Sequence, residues 1–411
     1  MSVLALLGPL FVFPKEKWNW ILLSAVALLF YGRWIIERRF LPKTPIDAAI
    51  GLLLVMAMTG IFVTKNIEES TAKLAGLVYG IIVFFILVEM LKTPKRLKTV
   101  VIIFLMTGLF LAITGTLGRF DPGEKIFFSI ESKMPKIPRI NLGLVGAESG
   151  INPNPLGGIL LLFIPIGVIQ LFLLDKKKNG VSFRWMKGIG LIAVIILLAS
   201  QIIAVYYSKS IGTWISLAIA LTLMGHWKRP IKVGIVVIFL IISVGLISKQ
   251  NQSSPKMNQR ILQIINRSIE DRVIIWNNAL EVVKGHSVFG IGLDQLRRNP
   301  KFTYETAHAH NQFLHTAAEL GIPGLIAYLA IIIGVFWMTL EVRKSVLPEW
   351  MRLTSRGVGT GIFAFTLFGM GDAIPLGAKP GIFFWISLAM ITSIYLYGRN
   401  NGFMTQSKEQ G

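Results

Sequence analysis

Three of the chain's five histidines fall in one short segment, 306–324, whose sequence is TAHAHNQFLHTAAELGIPG. An imidazole can take a proton near neutral pH, so this segment is the first candidate for acid–base chemistry. Its pattern predicts a helix over residues 307–320. Thr306 is a candidate N-cap, Gly321 follows the last turn, and Pro323 stops the helix beyond it.

The predicted helix sets one histidine apart from the others. Steps of three and four residues place His308, Asn311 and His315 on one face. His310 lies about 200° round the axis from His308 and faces elsewhere. From the residues alone, a structural hydrogen-bonding role is favoured for it over that of a base. His308 and His315 with Glu319 form an alternative metal-binding set, which is disfavoured because no carboxylate is adjacent to His308.

Arg272 is the candidate anion-binding residue, since a guanidinium makes strong bidentate hydrogen bonds to phosphate oxygens. It lies in a run of helical periodicity, 269–284, which opens with a capping box at Ser268 and ends before Gly285. A solvent-exposed ion pair is the alternative role for this arginine. The apolar residues of the run recur at helical spacing and form a stripe beside Arg272: Val273, Trp276, Leu280 and Val283.

The composition places these residues in a membrane protein. The chain has 411 residues, of which 53% are hydrophobic and 15% charged, with a mean hydropathy of +0.64. Such a balance is typical of a polytopic membrane protein. The net charge of +21 arises from basic residues in short loops between apolar runs, which is a membrane pattern rather than a nucleic-acid site. The absence of cysteine excludes disulfides and thiolate chemistry.

The apolar runs predict about twelve transmembrane helices. Alternate loops hold most of the Lys and Arg residues, so the positive-inside rule places the polar segments 118–155 and 248–320 outside the cytoplasm. This predicts three parts: residues 1–247 with the outer loop, the catalytic segment 248–320, and residues 321–411. The runs are 2–13, 18–35, 46–63, 74–92, 99–117, 156–174, 188–207, 211–225, 231–247, 321–340, 357–372 and 380–398.

Several motifs resemble those of one family, the O-antigen ligases and polymerases of the bacterial envelope. The most specific is His310-Asn311 followed, after nine residues, by Gly321-Ile322-Pro323-Gly324. The resemblance spans about residues 150–395. Its weaker motifs are Arg272-x-x-x-Trp276, Gly290-Ile291-Gly292, Asn152-Pro153-Asn154, and the stretch from Asp372 to Pro380.

One position departs from the family pattern. Such proteins often have Ser-Arg-Gly at the start of a middle membrane helix, whereas this chain has Ser210-Ile211-Gly212 with Lys209 just before it. A lysine supplies the positive charge but not the planar, two-pronged grip of arginine.

The resemblance implies an all-α, GT-C-like membrane glycosyltransferase of the bacterial inner membrane, with a helical extracytoplasmic segment between its late helices. It implies transfer of a glycan, with inversion, from undecaprenyl pyrophosphate to an acceptor hydroxyl such as that of lipid A-core. No metal, cofactor or nucleic acid is expected. By family, His310 is the base and Arg272 and Lys209 bind the pyrophosphate, supported by Asn311, Trp276, Gly321 and Gly324.

Two alternatives remain at this stage. A polymerase of the same family would use the same donor and differ only in the acceptor. A polysaccharide or lipid transporter would have a similar number of helices, but its ionisable groups should lie within the spans near the bilayer centre. Here the spans are nearly free of charge, which favours the transferase.

Overall fold

The computed structural model describes residues 42–118, 152–175, 181–208, 210–224, 255–303, 306 and 308–404. Within these ranges the chain is helical and contains no strand, which confirms the predicted all-α class. The helices are α1 (Asp47–Val63), α2 (Ile67–Met90), α3 (Pro94–Leu117), α4 (Pro153–Leu160), α5 (Ile164–Asp175), α6 (Val181–Ser208), α7 (Ile211–Leu223), α8 (Pro255–Gly285), α9 (Gln312–Lys344), α10 (Glu349–Phe368) and α11 (Ile382–Asn400).

Six helical segments in the described part are long and apolar enough to cross a membrane, and α1 and α7 are shorter apolar helices. The predicted runs 2–13, 18–35 and 231–247 lie outside the described residues. The figure of about twelve spans therefore stays a prediction. The run 156–174 is broken by a turn between α4 and α5, because Pro165 has no N–H with which to continue the first helix.

Glycines allow the membrane helices to pack closely, as the sequence suggests for Gly357, Gly359 and Gly361. A Cβ on Gly361 would lie 2.9 Å from the carbonyl oxygen of Leu162, so the α10 backbone rests on the turn between α4 and α5. On the opposite face, a Cβ on Gly359 would lie 2.8 Å from Thr339 of α9. The close-packing role predicted for these glycines is confirmed.

A small second core lies apart from the main one and belongs to α8 and the chain that follows it. Both predicted features of α8 need correction. The helix begins at Pro255 rather than after Ser268, and Val273 and Leu280 of the predicted stripe are exposed. The buried residues of α8 lie on a neighbouring face of the helix, because α8 packs against the chain that follows it and against the start of α9. This core consists of Ile275, Ala279, Val282, Ile291, Leu296, Phe302, Ala309 and Ala318.

The histidine segment also differs from the predicted helix. The helix begins at Gln312, with Asn311 as its N-cap, and not at residue 307. Gly321 interrupts it at φ 72° and ψ 176°. Pro323 then lies in the first turn of the longer, apolar part of α9 rather than acting as a stop. Proline is tolerated there because the first N–H groups of a helix have no intrahelical partner.

Candidate active site

Asn311 and His310 determine the conformation of the loop that precedes α9. The Asn311 side chain accepts hydrogen bonds from the backbone N–H groups of Phe313 at 3.0 Å and Leu314 at 3.1 Å. His310 has φ of 45°, in the left-handed region that residues other than glycine rarely adopt. Because Asn311 caps α9, the preceding histidines His308 and His310 lie in a loop and not in the helix.

This loop brings His308 and His310 together instead of separating them. Their ring centroids are 4.6 Å apart in an edge-on arrangement. The predicted separation of His310 from His308 is therefore wrong, because it assumed a helix through both residues. His315 is on α9, where it is 2% exposed, and its ring centroid is 6.4 Å from that of His308.

Both loop histidines face Asp372, in the turn after α10. The Nδ1 of His310 lies 3.1 Å from Oδ1 of Asp372, and the Nδ1 of His308 lies 3.8 Å from the same oxygen. On the other side of its ring, His310 Nε2 lies 3.3 Å from the hydroxyl of Thr306. The carboxylate can therefore fix the tautomer of His310 with Nδ1 protonated and leave Nε2 as a proton acceptor.

Asp372 is itself held from a distant part of the chain. Its Oδ2 accepts a hydrogen bond from Nδ2 of Asn154 at 2.8 Å, and its Oδ1 accepts one from the backbone N–H of Ala373 at 2.8 Å. Burial alone raises the pKa of Asp372, but the hydrogen bond with His310 and the nearby His308 outweigh it, and the net pKa lies below the ordinary value. The carboxyl group is thus ionised at neutral pH.

Asn154 and Asp372 are the two site residues that sequence reasoning did not select. Both lie in stretches that resemble the family, Asn152-Pro153-Asn154 and the segment beginning at Asp372. A carboxylate at the end of an apolar run was the available signal. Its partner could not be found from the sequence, because Asp372 is 62 residues from His310 and 218 residues from Asn154.

The same cluster bears on the question of a metal. His308, His310 and Asp372 each offer one ligand atom, and these atoms lie within 4.8 Å of one another. The argument that no carboxylate is close to His308 is therefore wrong, since the fold supplies Asp372. Burial lowers the pKa of His308, Asp372 partly opposes this, and His310 lowers the pKa further. A metal ion would have to replace the direct contact between His310 and Asp372.

Helix α8 carries the candidate arginine to the edge of this loop. The indole N–H of Trp276 donates a hydrogen bond to the backbone oxygen of His310 at 3.4 Å. Arg272 is half-buried and lies one turn before Trp276, so both project from the same side of α8. Arg297 and Arg298, in contrast, lie in a turn where they contact Glu69.

Gly321 and Gly324, the glycines of the histidine motif, lie where the chain packs too closely for a larger residue. A Cβ on Gly321 would lie 2.2 Å from the carbonyl oxygen of Val288, and one on Gly324 would lie 2.3 Å from Cβ of Leu320. Gly290, with φ of 67°, lies in the segment that packs against Gly321. This segment supplies a hydrogen-bond donor to a carbonyl group at the end of the first part of α9, since Ile291 N–H donates to the Ala318 oxygen at 3.0 Å.

Lys209 lies outside the described residues, between the end of α6 and the start of α7. Its neighbour Ser210 is the N-cap of α7, with its side chain accepting from the backbone N–H of Thr213. Its predicted role toward a pyrophosphate stays a prediction.

The fold and this site define a class: a multi-pass membrane protein, helical in the part that the structure describes, with a histidine–carboxylate pair at the ends of its membrane helices. Residues 192–329 match the family model of the O-antigen ligases. This match confirms the resemblance over the segment that contains Arg272, Trp276 and the motif from His310 to Gly324, and it does not distinguish a ligase from a polymerase. This family implies a membrane glycosyltransferase of the O-antigen ligase or polymerase type that acts on lipid-linked glycans. Among curated proteins, none matches the chain.

Proposed function

We propose that this protein is a ligase-type glycosyltransferase that moves a glycan from undecaprenyl pyrophosphate to an acceptor hydroxyl such as that of lipid A-core. The observation that carries the proposal is the contact between His310 and Asp372 at 3.1 Å. His310 also contacts Trp276, and Trp276 is on the same helix, α8, as Arg272. A base and an anion-binding arginine are the two groups that such a transfer requires.

The base step uses the free nitrogen of His310. Asp372 accepts the Nδ1–H, so Nε2 carries the lone pair and faces the hydroxyl of Thr306 at 3.3 Å. An acceptor hydroxyl that takes the place of the Thr306 hydroxyl gives its proton to Nε2. Its oxygen then bonds to the anomeric carbon while the bond from that carbon to the pyrophosphate oxygen breaks, which inverts the configuration. A positioned base of this kind contributes ~10²–10⁴-fold.

Arg272 and Lys209 stabilise the leaving pyrophosphate as its negative charge grows. Charge-assisted hydrogen bonds from a guanidinium are shorter and stronger than neutral ones. Because the sugar arrives activated, no pair of catalytic carboxylates and no cofactor is needed. We also propose that the transfer is metal-independent, since the pyrophosphate is already a good leaving group and the positive charges of Arg272 and Lys209 stabilise it.

The proposal includes a topology of about twelve spans in a GT-C-like arrangement within the bacterial inner membrane. The three parts 1–247, 248–320 and 321–411 follow the loop charges, and the site faces the periplasm. Single cysteines at Glu281 and Lys344, whose side chains are 55% and 66% exposed, test this orientation. In intact cells an impermeant thiol reagent should label only the cysteine at position 281, and labelling at 344 alone would reverse the topology.

The decisive experiment incubates the purified protein with a lipid-linked glycan and either lipid A-core or a second glycan as acceptor. Glycan transfer to lipid A-core supports the ligase, growth of the glycan on its own carrier identifies a polymerase, and lipid movement without transfer identifies a transporter. His310→Ala should lose ~10²–10⁴-fold in rate. The exposed His286 provides the matched control, because His286→Ala should leave the rate unchanged. A chelator should not reduce the rate, and a loss restored by added metal would refute metal independence.

A further inference from the structure

The turn 286–290, which follows α8, exposes large apolar side chains that the proposed chemistry does not use. Val288 is 55% exposed and Phe289 is 51% exposed. An aromatic and a branched aliphatic side chain at the tip of a turn are unfavourable in water, so such a patch indicates an apolar partner. The partner can be identified from the position of the turn relative to the hydrocarbon core of the membrane, which is set by two helices.

The first helix that sets this level is α9. The N–H of Ile322 donates to the carbonyl oxygen of Ser287 at 2.7 Å, so the turn is bonded to the residue after the Gly321 break. The apolar run 322–340 that begins there is about 28 Å long at a rise of about 1.5 Å per residue. This matches a hydrocarbon core of about 30 Å, so Ile322 lies at the edge of the bilayer.

The second helix is α1, which reaches the same level from the opposite direction. A Cβ on Gly292, at the other side of the turn, would lie 2.9 Å from the carbonyl oxygen of Gly60 and 3.0 Å from Cβ of Thr64. Gly60 is in the last turn of α1, and Thr64 is its C-cap. The apolar part of α9 and the shorter apolar helix α1 therefore both have one end at this level, which places the turn at the boundary of the hydrocarbon region.

Both helices also expose large apolar side chains at the ends that lie near the turn. Ile322 and Ile326 of α9 are 39% and 55% exposed, and Phe62 of α1 is 89% exposed. Within a transmembrane helix such side chains face lipid.

We propose that the turn 286–290 is a membrane anchor that inserts Val288 and Phe289 into the bilayer interface beside the outer end of α9. The partner is phospholipid, whose acyl chains take the two apolar side chains. The anchor holds the end of α8 at the membrane surface. On the proposed function, this keeps Arg272 and Trp276 at the height of a lipid-linked pyrophosphate.

The test measures where position 289 lies in the full chain reconstituted into phosphatidylethanolamine and phosphatidylglycerol vesicles. The chain has no cysteine, so Phe289→Cys can carry a single nitroxide label. Its collisions with oxygen, which concentrates in lipid, and with a water-soluble nickel chelate are compared. Ile333→Cys, at a side chain 65% exposed on α9, gives the lipid reference, and Glu281→Cys on α8 gives the aqueous reference.

The oxygen-to-nickel collision ratio at position 289 should exceed that at 281 several-fold and approach that at 333. A ratio equal to that at 281 would place the turn in water, and low collision with both reagents would show that protein covers it; either result overturns the anchor. Val288→Cys repeats the measurement should the first variant fold poorly. Because the readout needs no glycan transfer, it can fail or succeed independently of the proposed enzymatic function.

Discussion

Replacing Asp372 by Asn tests the central contact of the site, because it removes the negative charge while keeping the size of the side chain. The Asn side chain can still accept from the backbone N–H of Ala373 and from His310. What it cannot do is stabilise the positive charge that His310 gains as it takes the proton. The variant therefore separates the charge of Asp372 from its packing.

The structure gives the size of the expected loss. Asp372 is 6% exposed and contacts His310 at 3.1 Å, so the interaction is partly shielded from water. A hydrogen bond involving a charged group contributes ~1.5–3 kcal/mol. At about 1.4 kcal/mol for each tenfold change, this is a loss of about 10- to 150-fold in kcat. Asn154→Ala should cost less, since Oδ1 of Asp372 keeps its contacts with His310 and Ala373.

The assay is glycan transfer under saturating donor and acceptor, with the folded fraction checked by thermal unfolding. The matched control is the exchanged pair Asn154→Asp with Asp372→Asn, which keeps an amide facing a carboxylate but moves the charge away from His310. It should be no more active than Asp372→Asn alone. Recovery of activity in the exchanged pair, or near-normal transfer by Asp372→Asn itself, would refute the role of the charge.

Three further perturbations test other parts of the site. Arg272→Lys should lower transfer about tenfold or more because the bidentate geometry is lost, whereas Arg297→Lys should change it little; equal tolerance of both would leave Arg272 as a surface ion pair. The pKa of His308 is lowered in the folded protein, so at acid pH the unfolded chain binds a proton at this residue that the folded chain does not. The free energy of unfolding should therefore fall as the pH drops below about 6.5, the pKa of histidine in an unfolded chain. His308→Gln should therefore make the Tm less sensitive to acid, and an unchanged pH dependence would contradict this. Gly321→Ala places a Cβ 2.2 Å from a carbonyl oxygen and should lower the unfolding free energy by more than the ~1–3 kcal/mol of backbone strain alone, while Gly402→Ala, at a similar φ of 75° with nothing within 4 Å, shows that strain alone.

The start of α9 shows why part of the site could not be predicted. Residues 307–320 have a plausible cap at each end, and local propensity does not decide between a start at 307 and one at 312. The later start is favoured by contacts from the loop after α10. The N–H of Gln312 donates to the Gly369 oxygen at 2.7 Å, and the Gln312 side chain accepts from the N–H of Ile374 at 3.0 Å. In a helix that began at residue 307, the N–H of Gln312 would donate to a carbonyl group of the same helix, so its bond to Gly369 favours the later start.

The sequence by itself determined the class of the protein and the residue types of its chemistry. Apolar runs between basic loops require membrane helices, since every backbone polar group in lipid must be bonded internally, and the motif from His310 to Gly324 identified the family segment. Only the tertiary structure decided which residues meet. His308 and His310 share Asp372, and Asn154 orients it, because three segments far apart in the chain converge at the ends of packed helices. Hydrophobic periodicity records which face of a helix is buried but carries no information about the side chain opposite.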